Sequence, residues 1–128
     1  QPLSGVGFAM GDVVMGIVLR ERGLLPEFIP SPAPVLVTIF DESLLRESYA
    51  LASELRAAGL KVLCYPEPAK LQKQFKFADK MKARVVLTVG PDEAANAQVA
   101  VKNLVSGEQV TVKREALVES IRELLKNA

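Results

Sequence analysis

VLVTIFDESLLRESYALASELRAAGLKVLCYPEPAKLQKQFKFADKMKARVVLTVG, residues 35–90, decides the fold. It opens on VLVTIF (35–40), a continuous apolar run of the kind carried by a strand buried on both faces of a parallel sheet. Asp41 and Ser43 then offer a helix cap. Leu44, Leu45, Ala52, Leu55 and Ala58 fall on one face of a helix that stops at Gly59. A second strand, KVLCY (61–65), is broken by Pro66 and Pro68. The spacing of Leu71, Phe75, Ala78 and Met81 or Lys82 predicts a helix over 70–82 with those residues inward. A third strand, RVVLTV (84–89), closes at Gly90-Pro91.

Working outward towards the C-terminus, 97–104 and 108–112 read as two strands joined at Ser106-Gly107, a hairpin signal. A short turn or helix precedes them, and a last helix follows over 114–126, with Leu117, Ile121, Leu124 and Leu125 inward. Strands separated by helices imply right-handed crossovers and a parallel core. The expected fold is α/β: a five-stranded mixed sheet, three parallel strands plus an antiparallel hairpin, flanked by three helices.

Towards the N-terminus the pattern changes. Four prolines lie within 26–34, which reads as a stiff, extended linker. Before it, the Gly-spaced SGVGFAM (4–10) reads as a strand whose backbone lies close to something. Asp12 can cap a helix from Val13 to about Arg22, with Gly23 as its stop. That helix is apolar nearly all round, as suits the interior of a larger body. The expectation is three parts: 1–25, a remnant of a neighbouring domain; 26–34, the linker; 35–128, a complete domain. The chain opens on Gln1 with no basic stretch ahead of an apolar one, so it reads as a piece of a longer protein and not as a signal peptide.

Composition narrows the chemistry. The 128 residues include no His, which excludes an internal His-based triad or imidazole acid/base. A single Cys excludes an internal disulfide and a Cys-rich metal site, and a reducing, cytoplasmic setting is the simpler reading. No apolar run is long enough to span a membrane. Sixteen Lys/Arg against fifteen Asp/Glu leave +1, which argues against a generally polybasic protein. The charge is uneven, however. Residues 61–84 hold seven cations and two anions, a local +5 against −4 elsewhere. Lys73, Lys76 and Lys80 share one side of the second helix and Lys70 extends the row. Such a stripe is either a solvated face or a surface that meets phosphates.

The carboxyl ends of parallel strands are where ligands gather in open α/β sheets. There, Asp92 and Glu93 can accept base N–H groups, and Asn96 and Gln98 can both donate and accept. The same residues also suit a plain turn with a helix cap. Two adjacent carboxylates without a third partner are poor grounds for catalysis or for a metal pair, and no metal is expected. Phe77 and Tyr65 can either pack or stack on an unpaired base, and Cys64 reads as a small core residue. An aspartate just after the first strand, Asp41, leaves open a flavodoxin-like or response-regulator-like switch.

GVGFAMGDVVMGIVLRERGLLPE (5–27) resembles motif 3 of a class II aminoacyl-tRNA synthetase with the exit from its catalytic domain. KLQKQFKFADK (70–80), VGPDE (89–93) and VKNLVSGEQ (101–109), together with the first strand and helix, resemble the C-terminal anticodon-binding domain of the histidyl-tRNA synthetase family. The resemblance covers nearly the whole chain. It implies five mixed strands with three helices, and a role in gripping the anticodon arm of a tRNA. It places that role on Lys70, Gln72, Lys73, Gln74 and Lys76, and on Asp92, Glu93, Asn96 and Gln98. It places Gly5, Gly7 and Gly11 beside the adenine of ATP in the parent enzyme. ATP and Mg²⁺ would belong to that parent, a homodimeric histidine–tRNA ligase, and this chain by itself would hold no cofactor and catalyse nothing. One departure stands out: motif 3 usually carries an acid followed by Arg, and here Val13 follows Asp12. Val cannot bind phosphate, which leaves room for a regulatory or protein-interaction module from an inactive paralogue.

Overall fold

The structure, a computed structural model, describes residues 2–25 and 33–126. The elements run α1 (Asp12–Glu21), β1 (Val35–Val37), α2 (Leu45–Ala57), β2 (Val62–Cys64), α3 (Leu71–Lys80), β3 (Val85–Thr88), α4 (Pro91–Ala95), β4 (Gln98–Asn103), β5 (Gln109–Lys113), a 3₁₀ turn (Arg114–Ala116) and α5 (Leu117–Lys126). The sheet order is β2-β1-β3-β4-β5. β1 is parallel to both β2 and β3, while β4 is antiparallel to β3 and to β5. This is the mixed sheet expected from the apolar runs. The undecided segment before the hairpin is the short helix α4.

The two faces of the sheet are packed unequally. Val35, Val37, Val85, Leu87, Val99 and Val101 point to one face and meet Leu51, Ala52 and Leu55 of α2 and Leu117 and Ile121 of α5. Truncating any one of these buried leucines or Ile121 to Ala would cost about 2–5 kcal/mol. The alternate residues Leu36 and Val86 point to the other face and meet Ala78 of α3, with Leu63, Phe75, Phe77 and Leu104 at its edges. On that second face β5 stays open, with Gln109, Thr111 and Lys113 exposed, while on β4 Ala100 is buried and Lys102 reaches over the Phe75 ring, 5.0 Å from its centroid.

Punctuation explains the boundaries. The Asp41 carboxylate accepts from the Ser43 hydroxyl (2.6 Å) and the Leu44 N–H (3.1 Å), shaping the turn ahead of α2. Gly59, at φ +85°, ends that helix. Lys82 takes φ +54° and ends α3 earlier than its apolar spacing implied. The last helix opens with a 3₁₀ turn where a regular α-helical turn was expected.

The N-terminal stretch departs from expectation. SGVGFAM forms no strand, because a strand needs a ladder partner and none of the described residues supplies one. The helix α1 forms and stops with Gly23 at φ +67°, as expected, yet none of its residues is buried. Asp12 is its first residue, its carboxylate accepting only from the adjacent Val13 N–H; Gly11 occupies the cap position. Of the expected linker, 26–32 lies outside the described residues. Ala33 and Pro34 already belong to the sheet region: Ala33 is buried, and the Pro34 carbonyl accepts from the N–H groups of Arg84 and Val85.

Candidate nucleic-acid interface

The inward stripe of α3 is Leu71, Gln74, Phe75 and Ala78. The opposite side therefore carries Gln72, Lys73, Lys76 and Lys80, all exposed, with Lys70 exposed at the cap position. None of these four lysines makes an ion pair with a described residue. A row of unpaired ammonium groups on one helix side is what a polyanion needs.

Gln74 departs from this picture and corrects its expected exposure. It is fully buried. Its Oε1 accepts from the Ile39 N–H (2.8 Å), and its Nε2 donates to the carbonyls of Ile39 (2.6 Å) and Ala69 (2.7 Å). The reason lies in the sheet. The Val37 carbonyl accepts from Tyr65 N–H on the β2 side, and Thr38 N–H donates to Leu87 on the β3 side. By alternation, the polar groups of Ile39 face the β2 side again. There β2 has ended, and Pro66 begins the departing chain. The Gln74 carboxamide takes the place of the missing rung. It pairs both backbone groups of Ile39 and thereby bolts the first turn of α3 to the end of β1. A polar residue three positions after Leu71 falls on the buried stripe, and that phase is the signal that could have found it.

The bolt puts the first turn of α3, with Lys70 and Lys73, beside the carboxyl end of β1, and the row runs from there along the outer side of the helix to Lys80. At this rim, Phe40 follows β1 and is 42% exposed. Gly90 ends β3's run, and a Cβ built there would lie 3.7 Å from two carbons of the Phe40 ring. The Glu93 carboxylate accepts from the Gly90 N–H (3.1 Å), so it caps its own helix. Asp92 is exposed in the first turn of α4, where the helix dipole favours its charge. Asn96 is exposed, and its Nδ2 donates to the Asp92 carbonyl (2.8 Å). Gln98 is half-buried in β4 on the open side of the sheet, opposite Lys113. The rim thus brings α3, Phe40, α4 and the start of β4 together.

Other candidate residues resolve as structure. Tyr65 is buried, and its ring meets Phe77 edge-on, centroids 5.4 Å apart. Cys64 is half-buried against the larger core cluster, and burial raises its thiol pKa while Arg56 opposes this. The Ser43 hydroxyl holds the Asp41 carboxyl below its ordinary range, so this group is spent on a turn. A cleft of about 530 Å³ lined by Glu54, Asn96, Ala97, Lys113, Arg114 and Glu115 lies near the α4 end. Its Arg114 is already paired with Glu47 and Glu54.

No metal-holding cluster of His, Cys, Asp or Glu occurs among the described residues. Nor do they build a nucleotide pocket around the motif-like glycines. A Cβ on Gly5 or Gly7 would meet nothing, and one on Gly11 only the Val14 side chain at 3.8 Å. No helix among the described residues is long and apolar enough to cross a membrane.

Comparison with known proteins agrees with this fold. The chain is 36% identical over 126 residues to a histidine–tRNA ligase of Xanthomonas campestris, covering 98% of this chain and 26% of that protein. The crystal structure of histidyl-tRNA synthetase from Nostoc sp. superposes with a TM-score of 0.73 at 36% identity, over 88% of this chain and 27% of that one. The RNA binding domain of threonyl-tRNA synthetase from Cryptosporidium parvum shares the fold, with a TM-score of 0.68 at 17% identity over 75% of this chain and 25% of that one. The chain spans about a quarter of the length of the curated relatives it matches. Residues 33–124 match the family model described as the anticodon binding domain, and the chain belongs to that family.

Proposed function

We propose that this chain grips the anticodon arm of a tRNA on behalf of a histidyl-tRNA synthetase. The observation that carries the reading is the unpaired lysine row of α3, whose first turn the Gln74 bolt fixes to the end of β1. Lys70, Lys73 and Lys76 would hold phosphates, while Gln72, Asp92, Asn96 and Gln98 would meet the edges of unpaired bases. Glu93 would act through the shape of α4, since its carboxylate is engaged with Gly90.

The parent enzyme would activate histidine with ATP and Mg²⁺, then transfer it to the tRNA 3′ end. Those steps belong outside 33–126. In this reading 1–25 is the end of the catalytic domain, 26–34 the link, and 35–128 the tRNA-reading unit. The exposed apolar side chains of α1, including Val13, Val14, Ile17 and Val18, support a cover from the rest of a cytoplasmic, homodimeric parent.

Filter binding of the 128-residue chain to a tRNA-His anticodon stem-loop across a salt series tests the proposal. Affinity should fall steeply with salt. The K73E/K76E double variant should bind more weakly and with a shallower slope, by about 0.7 for each single-strand phosphate that is no longer neutralised. Salt-insensitive binding, or an unchanged double variant, refutes it.

A further inference from the structure

We infer that Phe40 is a stacking platform for one unpaired base of the bound RNA, an inference that rests on the tRNA-reading proposal. Leu36 packs under α3, and Thr38 hydrogen-bonds sideways to Thr88 through their hydroxyls (2.8 Å). Phe40 continues that alternating row towards the α3 side, one step beyond the point where helix cover ends. Thr38 and Ile39 are fully buried, whereas Phe40 is 42% exposed. A large aromatic that emerges at the mouth of a strand bundle loses hydrophobic stabilisation unless a partner covers it.

The ring is held in place before any ligand arrives. The backbone ahead of it is fixed on both sides, by Leu87 at Thr38 and by Gln74 at Ile39. One edge faces Gly90, where even an added Cβ would meet the ring at 3.7 Å, an ordinary packing contact. A pre-ordered ring gives up little entropy on stacking. Its neighbours have the chemistry of single-strand recognition: cations begin at Lys70 in the helix turn bolted to Ile39, and amide groups follow at Asn96 and Gln98. Cations that track phosphates beside an aromatic that takes a base face are the usual pairing in such sites.

The test pairs protein and RNA variants. Binding of wild type, F40L and F40W is measured on the stem-loop and on a series in which each loop nucleotide in turn is made abasic. F40L should weaken binding about 5- to 150-fold with an unchanged salt slope, and F40W should restore it. On the RNA abasic at the stacked position, wild type and F40L should bind equally. Equal binding of F40L and wild type to the intact RNA overturns the inference, as does an F40L loss of the same size on every abasic RNA. If F40L misfolds by circular dichroism, the wild-type and F40W series decides: no abasic position then weakening wild type by at least about 5-fold overturns it. A wild-type chain with no salt-dependent affinity fails the underlying proposal, and the inference with it, and is distinct from a Phe40-specific failure.

Discussion

Replacing Gln74 by Leu keeps the side chain's size and removes its polar atoms. Three backbone groups then lose their partner: Ile39 N–H, Ile39 C=O and Ala69 C=O. Gln74 and Ile39 are both fully buried, so water cannot readily replace the lost bonds. A buried unpaired group costs about 1–3 kcal/mol. Ala69 is partly exposed and the loop can relax, so two full penalties are expected, offset in part by the apolar gain of Leu. The net is about 3 kcal/mol, a large share of the roughly 5–15 kcal/mol that holds such a domain together. Tm should fall by about 10 °C or more. The chain has no Trp, so urea and thermal unfolding are followed by far-UV circular dichroism. Gln74→Glu separates hydrogen bonding from packing. A buried carboxyl must be protonated to donate to Ile39 or Ala69, so its folded-state pKa lies above the unfolded one. The folded state then binds the extra proton, and stability falls as pH rises from the unfolded pKa towards the folded one. The Glu variant should therefore approach wild type near pH ~4.5 and fall away by pH ~7.5. A Leu variant within about 1 kcal/mol of wild type, or a Glu variant with a pH-independent deficit, refutes the missing-rung account.

Two further outcomes follow from local geometry. Gly107 sits at φ +78° in the hairpin with open space around it, so Gly107→Ala should cost about 1–2 kcal/mol through conformation alone, read by the same unfolding curves; no loss would refute it. Burial raises the Cys64 thiol pKa, so iodoacetamide at pH ~8 should alkylate it more slowly in the folded chain than in urea, and equal rates would contradict its placement.

Much of the fold was legible from local pattern. The runs at 35–40 and 84–89 are apolar because both faces of a central strand are covered, and the edge run at 61–65 also packs on both faces, through Cys64 on one and Leu63 on the other; all three read as strands for that reason. The lysine row was legible too, since helical phase puts Lys73, Lys76 and Lys80 together whatever lies beneath. SGVGFAM is not a strand despite its spacing, because glycines describe what a backbone permits, while a strand exists only where another backbone pairs with it.

From β1 onwards the sequence by itself determined the order of strands and long helices, the parallel core with its hairpin, and the side of α3 that carries charge. These follow from periodicity, which each segment expresses alone. Tertiary structure decided that Gln74 serves the sheet and not a ligand, that Glu93 caps its own helix, and that Phe40 emerges at the rim. Those roles depend on backbone groups or surfaces brought together by folding, such as Ile39 meeting a carboxamide 35 residues away, and no local pattern encodes such a meeting.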